Sequence, residues 1–338
     1  MSCEKSQSIC MRLHQEKIDA DANPFVYSFG YLYLVLSLVA LIPTFVILLI
    51  LFRPHFLKQP FYQILAFFYT LVMVNLLLTG TSASFYSLSH CDFSSCVGMS
   101  IVGSLQVGAW TALFAASGLL LLNRIISFAS KSLVEIFFTG RRTLAWAFMA
   151  TFLGAQMLIP FDGEPFYHYD SSEAIWNYEL VPLGTKHMRF LTVNLISVFA
   201  NLLLLVIVLI LARKRGDSSE LVQTSYLAVL LSFPIMFLNM CFVVILSIRE
   251  PPLVMNVFLM SMLHLLLGML SVFCLLHNKA INDAMPRCCR KKAPIVTNVY
   301  APSGNVAIPI TTGNQNLNHV EIVVSGATSG EHDEIQRA

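Results

Sequence analysis

The sequence is short of charge. Only 12% of its 338 residues are Asp, Glu, Lys or Arg, about half the share found in soluble domains, while 56% are hydrophobic and Phe alone occurs 25 times. Too few charges remain to coat a water-facing surface, which excludes a soluble enzyme and an extended disordered chain. A net charge of +2 is too balanced for a phosphate-binding face, so nucleic acid is not an expected partner. The long apolar runs contain no Asp or Glu, and His264 is the only histidine in their interior, His277 standing at the very end of the last. Ion-coupled transporters and pumps place carboxylates or bases at the membrane midplane. Metal-dependent hydrolases need several ligands where this chain offers one. There is no glycine-rich phosphate loop, no paired carboxylates and no nucleophile–base arrangement. The chain is therefore expected to be no enzyme and to hold no cofactor and no metal.

What is present is length without charge. A helix crosses a hydrocarbon core of about 30 Å with roughly 20 apolar residues. Seven stretches meet or approach that length: residues 30–52, 61–83, 98–122, 143–160, 188–212, 221–247 and 253–277. Span 4, residues 143–160, is the shortest. All are too continuous for barrel strands, which alternate over about ten residues. Spans 2 and 3 hold more Ser, Gly and Thr than contact with lipid requires. The expected fold is an all-α seven-transmembrane helix bundle, residues 30–292, between an N-terminal segment, 1–29, and a disordered tail, 293–338. The polar start of the chain lacks a signal-peptide core, so span 1 would act as an uncleaved anchor.

Loop charges orient the bundle. Lys and Arg number fourteen on one side, after spans 1, 3, 5 and 7, and three on the other: Lys186, Arg189 and Arg249. The basic side is cytoplasmic, which puts the N-terminus outside and the tail inside. No Asn-x-Ser/Thr sequon marks a glycosylated loop. Cys3, Cys10, Cys91 and Cys96 then share the oxidising side, with pairing open.

Neutral polar side chains are disfavoured by hydrocarbon and should face the bundle interior. Asn194, Ser197 and Asn201 share one face of span 5; Ser261, His264, Gly268 and Ser271 share one face of span 7. These are either hydrogen-bonding glue between helices or the lining of a ligand cavity. By depth, Asn194, Asn239 and His264 are the candidate ligand contacts, joined by Gln106 and Trp110 in span 3. Ser104, Gly108, Ala112 and Ala116 recur every four residues, which predicts close packing and a central place for span 3. Pro234 interrupts the hydrogen bonding of span 6 and is the candidate hinge.

Seven spans with an outside N-terminus and no intramembrane carboxylate resemble a G-protein-coupled receptor. FRPHFLKQPFYQIL (Phe52–Leu65) resembles the entry to span 2 in nematode serpentine chemoreceptors of the Srg superfamily, and LLLLNRIIS (Leu119–Ser127) resembles their Leu-x-x-Asn-Arg at the inner end of span 3. Span 7 ends without Asn-Pro-x-x-Tyr, which departs from rhodopsin-like receptors. The resemblance implies that Asn123 and Arg124 couple to a heterotrimeric G protein α subunit, helped by Arg213, Lys214 and Arg215. It also suggests lipidation of Cys288 and Cys289, which sit among basic residues close to the bilayer.

The expected function is a chemosensory receptor in the plasma membrane, in sensory cilia by analogy. It would bind a small neutral or weakly polar molecule in the outer half of the bundle. Amines would want a carboxylate partner. Residues 161–187 are acidic and aromatic and form either a ligand gate or a solvated loop. The alternatives are a seven-span ligand-gated channel, whose insect odorant-receptor examples have the N-terminus inside, and an uncoupled transporter.

Overall fold

A computed structural model describes residues 25–89, 97–156, 168–170, 174–177, 185–216, 219–246 and 252–285. The chain divides into two units, Met1–Arg290 and Lys291–Ala338, and every described residue lies in the first. The six cysteines at 3, 10, 91, 96, 288 and 289 and the tail 293–338 lie outside the described residues.

The elements are α1 (Val26–Leu51), α2 (Pro60–Leu76), a π turn (Leu77–Thr81), α3 (Ser82–Ser89), α4 (Val97–Ala129), α5 (Lys131–Phe138), α6 (Arg141–Gln156), β1 (His168–Asp170), β2 (Ile175–Asn177), α7 (Thr185–Arg215), α8 (Glu220–Leu246), α9 (Leu253–His277) and α10 (Lys279–Asp283). Uninterrupted Leu, Ile, Val and Phe give these helices their length, and only a helix satisfies its own backbone in lipid. Pro60 opens α2 at a position where its missing N–H costs nothing. The molecule is an all-α multi-pass membrane bundle, with one small hairpin among the described residues.

Among the described residues, six stretches are long and apolar enough to cross a membrane: Tyr27–Leu51, Pro60–Ser89, Ile101–Ala129, Thr192–Arg215, Glu220–Val244 and Leu253–His277. The expected span 143–160 is described as α6, a helix of 16 residues, about 24 Å long at 1.5 Å per residue. Span 7 begins and ends where the hydropathy places it. Span 3 continues past residue 122 to Ala129 and carries Arg124 into the bundle, where it is 8% exposed. The charge-free character of the expected spans therefore holds for acidic groups, while one arginine is buried.

α4 is central. It packs against α2, α6, α7 and α8, and its stripe of small residues explains how. Ala112 and Ala116 are buried, and Gly154 of α6 sits so close that a β-carbon there would overlap the Gly108 carbonyl oxygen and stand 3.2 Å from Ala112 Cβ. α1 and α9 form the other tight pair, joined where the Thr44 and Ser271 hydroxyls hydrogen-bond at 2.7 Å.

For the 161–187 segment the sequence leaves a ligand gate and a solvated loop both open. β1 and β2 pair antiparallel, with Tyr169 opposite Trp176. Tyr169, Asp170, Ala174, Ile175 and Trp176 are all buried. The described core of this segment is thus a hairpin packed into the bundle and not a solvated loop. Three bonds seat it: Tyr33 donates to the Ala174 carbonyl (2.9 Å), Ser87 and Tyr169 share a hydroxyl bond (2.9 Å), and Trp176 Nε1 donates to the Thr79 carbonyl (3.4 Å). Around those bonds Trp176 meets Tyr86 and Tyr169 edge-on, while Tyr86 and Tyr169 stack on each other. Burial holds the Tyr169 hydroxyl above its ordinary pKa, so its bond to Ser87 joins two neutral hydroxyls.

Candidate functional site

The candidate residues fall into three places. At the hairpin end, α4 and α8 meet through Trp110, whose Nε1 donates to Asn239 Oδ1 at 3.0 Å. An indole can only donate, so the amide orientation of Asn239 is fixed with its oxygen toward Trp110. Asn239 Nδ2 is left buried with no partner, a donor that wants an acceptor. Phe242 packs edge-on against Trp110, 5.9 Å between ring centres. Gln106, one turn from Trp110, and Asn194 of α7 are both buried. Trp110 and Asn239 are thus in contact, as a ligand-lining pair requires. They also hold each other. We expect Trp110→Phe to lower the unfolding free energy of detergent-purified protein by about 1–3 kcal/mol, because Asn239 loses its donor. In a thermal-melt cycle the Trp110→Phe/Asn239→Leu double variant should lose less than the sum of the singles.

His264 stands apart from that pair. Its ring stacks on Tyr33 of α1 (5.8 Å, 20° between planes), and Nδ1 lies 2.6 Å from the Met260 carbonyl oxygen. Gly80, in the π turn, faces it. A β-carbon there would stand 2.6 Å from His264 Nε2 and overlap Ser37 Oγ. Glycine is required here by that close approach. A π turn is rare, and such turns concentrate at functional sites. The other polar residues on that face of span 7 serve packing: Ser271 bonds Thr44, and Gly268 lies against Ala40. On α7, Asn201 accepts from Ser117 Oγ at 3.2 Å, which makes it glue between α7 and α4.

At the opposite, basic end, Arg124 Nη1 donates to Thr224 Oγ1 of α8 at 2.9 Å. Nε donates to Asn123 Oδ1 at 3.2 Å, and Nη2 donates to the same oxygen. The guanidinium lies 4.2 Å from the centre of the Phe61 ring. Thr224 passes the link on by donating to the Glu220 carbonyl at 2.7 Å. Beside this knot a cavity of about 440 Å³ opens between α2, α8 and the α9–α10 junction, lined by Tyr62, Glu220, Thr224, Leu227, Asn278 and Lys279 among others. Arg213 and Lys214 are exposed on the last turn of α7, and the structure does not bring them into contact with Arg124.

Three polar contacts between α4 and α8 form a ladder: Trp110–Asn239, Ser232 Oγ donating to the Ser117 carbonyl (3.3 Å), and Arg124–Thr224. On α4 they fall every seventh residue, the repeat at which two helices keep one seam in contact. Pro234 lies two residues from the middle rung, within α8. Sequence reasoning named both sides of the Trp110–Asn239 rung and one side of the Arg124–Thr224 rung, but missed Thr224, Phe61, Tyr33, Ser37 and Gly80. The Ser, Gly and Thr excess in span 2 was the one available signal for the π turn.

A central helix packed by its neighbours, a hairpin seated in one end of the bundle and a buried Asn-Arg pair at the other define a G-protein-coupled-receptor-like fold. The family model described as "Serpentine type 7TM GPCR chemoreceptor Srt" matches residues 9–294, and the chain belongs to that family. The resemblance to serpentine chemoreceptors is met at the level of class, and the family the match names is Srt. Among solved structures the chain is similar to squid rhodopsin, with a TM-score of 0.60 at 10% identity over 77% of this chain and 83% of that one, a likeness of fold alone. No curated protein matches the chain. The family is a receptor class and not an enzyme class.

Proposed function

We propose that the protein is a chemosensory receptor that binds a small neutral or weakly polar ligand at the hairpin end and activates a heterotrimeric G protein at the basic end. The observation that carries this reading is the α4–α8 ladder. It joins the candidate ligand pair, Trp110–Asn239, to Arg124–Thr224 through hydrogen bonds on one pair of helices. A ligand acceptor on Asn239 Nδ2 would compete for the position of α8. Pro234 would let the basic half of α8 swing. Loss of the Arg124–Thr224 contact would widen the cavity at that end to admit a Gα segment, with Asn123, Arg124, Arg213, Lys214 and Arg215 as contacts. Gln106, Asn194 and His264 complete the proposed ligand-facing set.

The proposed bundle has seven crossings, with residues 1–29 outside and 293–338 inside, a reading supported by the loop charges and by the packing of α6 on α4. Membership of the Srg superfamily, plasma-membrane residence, a ciliary address and acylation of Cys288 and Cys289 belong to the same proposal. One assay separates it from the channel and transporter alternatives. An N-terminal epitope should stain on unpermeabilised cells, and an odorant and pheromone panel should raise G-protein activity in cells expressing the chain. Staining only after permeabilisation, or ligand-driven current without G-protein activation, would favour a channel.

A further inference from the structure

Between α4 and α6 the short helix α5 (Lys131–Phe138) presents three sectors, since successive side chains turn by about 100°. Phe138 is buried and Val134, one turn away, packs against the core, so the first sector holds α5 on the bundle. Lys131 and Glu135, also one turn apart, are exposed on the second. Leu133, Ile136 and Phe137 share the third, turned away from the core, and are 39%, 51% and 42% exposed.

The position of α5 says what covers that apolar sector. One residue, Ser130, separates α5 from α4, and two, Thr139 and Gly140, separate it from α6. The crossing Ile101–Ala129 ends where α5 begins, so α5 is held at the membrane boundary. Its last turn is also built without reliance on water. A helix end leaves four carbonyls without an intrahelical partner. Here each accepts from an α6 side chain: Glu135 and Ile136 from Arg142 Nη1, Phe137 from Trp146 Nε1 at 2.9 Å, and Phe138 from the Thr143 hydroxyl. A backbone beside hydrocarbon needs its groups satisfied in this way. α6, to which α5 is thereby fastened, itself carries exposed Leu144 and Phe148. Lys131 and Arg141 are exposed at the two ends of α5, with Glu135 the one acid between them.

We propose that α5 is an interfacial anchor on anionic lipid: Leu133, Ile136 and Phe137 enter the boundary of the inner leaflet, and Lys131 and Arg141 rest on its headgroup phosphates. Aliphatic and aromatic side chains on one face with basic ones beside them mark a helix lying in the membrane plane, and long basic side chains keep their heads at the headgroups. A Gα surface is the competing occupant, but no α5 residue lines the cavity beside Arg124. The choice of the inner leaflet rests on the orientation proposed above, while the lipid contact does not depend on any ligand.

The test uses the full-length protein in phosphatidylcholine nanodiscs with brominated acyl chains, and one added tryptophan read against the parent's emission. Phe137→Trp and, independently, Ile136→Trp should be quenched by bromine and little by acrylamide. Glu135→Trp, on the polar sector, should show the reverse. Hydrogen exchange across residues 131–138 reads the charge: adding phosphatidylserine should slow it by about fivefold for each of the two bases, and Lys131→Gln/Arg141→Gln should lose that dependence. Bromine quenching no greater at 136 and 137 than at 135 would overturn the anchor. So would shielding of 136 and 137 from acrylamide that begins only when Gα is added, which would give the face to the G protein. Equal exchange with and without phosphatidylserine would overturn the preference for anionic lipid. Orientation is read separately: an N-terminal epitope reached only after permeabilisation would fail the proposed orientation and the inner-leaflet assignment, and would leave the nanodisc readings as they are.

Discussion

Arg124→Ala should abolish ligand-driven G-protein activation at normal surface density, while Thr224→Val should raise activation in the absence of ligand. The two expectations differ because the contact has two partners with different duties. In this conformation Thr224 does one thing for Arg124: it accepts a charge-assisted bond that ties α8 to α4. Such a bond contributes about 1.5–3 kcal/mol, so removing the acceptor should shift the balance between tied and released α8 by roughly 10- to 150-fold. Valine matches threonine in shape, which leaves packing in place, and Thr224→Ser should restore low basal activity. Arg124 is the proposed contact with the Gα segment after release, so its loss cannot be offset by an untied α8. Bioluminescence energy transfer between Gα and Gβγ, normalised to surface epitope, reads both. Undiminished ligand response in Arg124→Ala would remove that residue from the coupling role, and unchanged basal signalling in Thr224→Val would remove the tie.

The ladder gives a physical route between the two ends and also a limit. A ligand can move α8 only by as much as it binds the released state more tightly than the tied one. Acceptance from Asn239 Nδ2 supplies such a difference if the approach of α8 changes with it. The middle rung is soft: the Ser232 hydroxyl meets a backbone carbonyl at 3.3 Å, beside a proline that already interrupts the helix. Release of α8 around Pro234 therefore breaks one strong bond and one weak one.

Much of this was legible from residue type and period. Long apolar runs of 20 residues or more fix where helices lie because lipid leaves the backbone no other choice. A four-residue repeat of Ser104, Gly108, Ala112 and Ala116 fixes which helix is central because only small side chains admit neighbours. Asn239 and Trp110 could be paired only in space, since 129 residues separate them. Three features had no periodic signature. The hairpin is three residues on each side, too short for alternation to register, and its acidic neighbours leave a solvated loop open beside a ligand gate. The π turn changes the facing of Gly80 through one extra backbone residue, which hydropathy does not record. Arg124 lay two residues beyond the apolar run, among the charges of the basic side. The helix continues to Ala129 because Ile125, Ile126 and Phe128 sustain it, and that continuation draws the charge inside against Phe61 and Thr224.

Gly154→Ala should destabilise the whole bundle, more than its single added carbon suggests. The new β-carbon would overlap the Gly108 carbonyl oxygen, which belongs to backbone and cannot rotate away as a flexible side chain would. Either α6 moves off α4, losing contact along Ala112 and the rest of the small stripe, or α4 distorts at its own hydrogen-bonded carbonyl. Overpacking of this kind costs about 1–3 kcal/mol, and Gly154→Val should cost more and reduce surface display. Phe152→Val, on an exposed face of α6, should leave the melting temperature nearly unchanged and controls for helix propensity. Thermal denaturation of detergent-purified protein, with surface staining alongside, separates the cases. The outcome bears on more than packing, because α6 is the one expected crossing whose described length falls short. Its place in the bundle rests on how Gly154 seats it against α4. If Gly154→Ala melts with the parent, α6 is not locked to the stripe, and the count of seven crossings loses the contact that supports its fourth member.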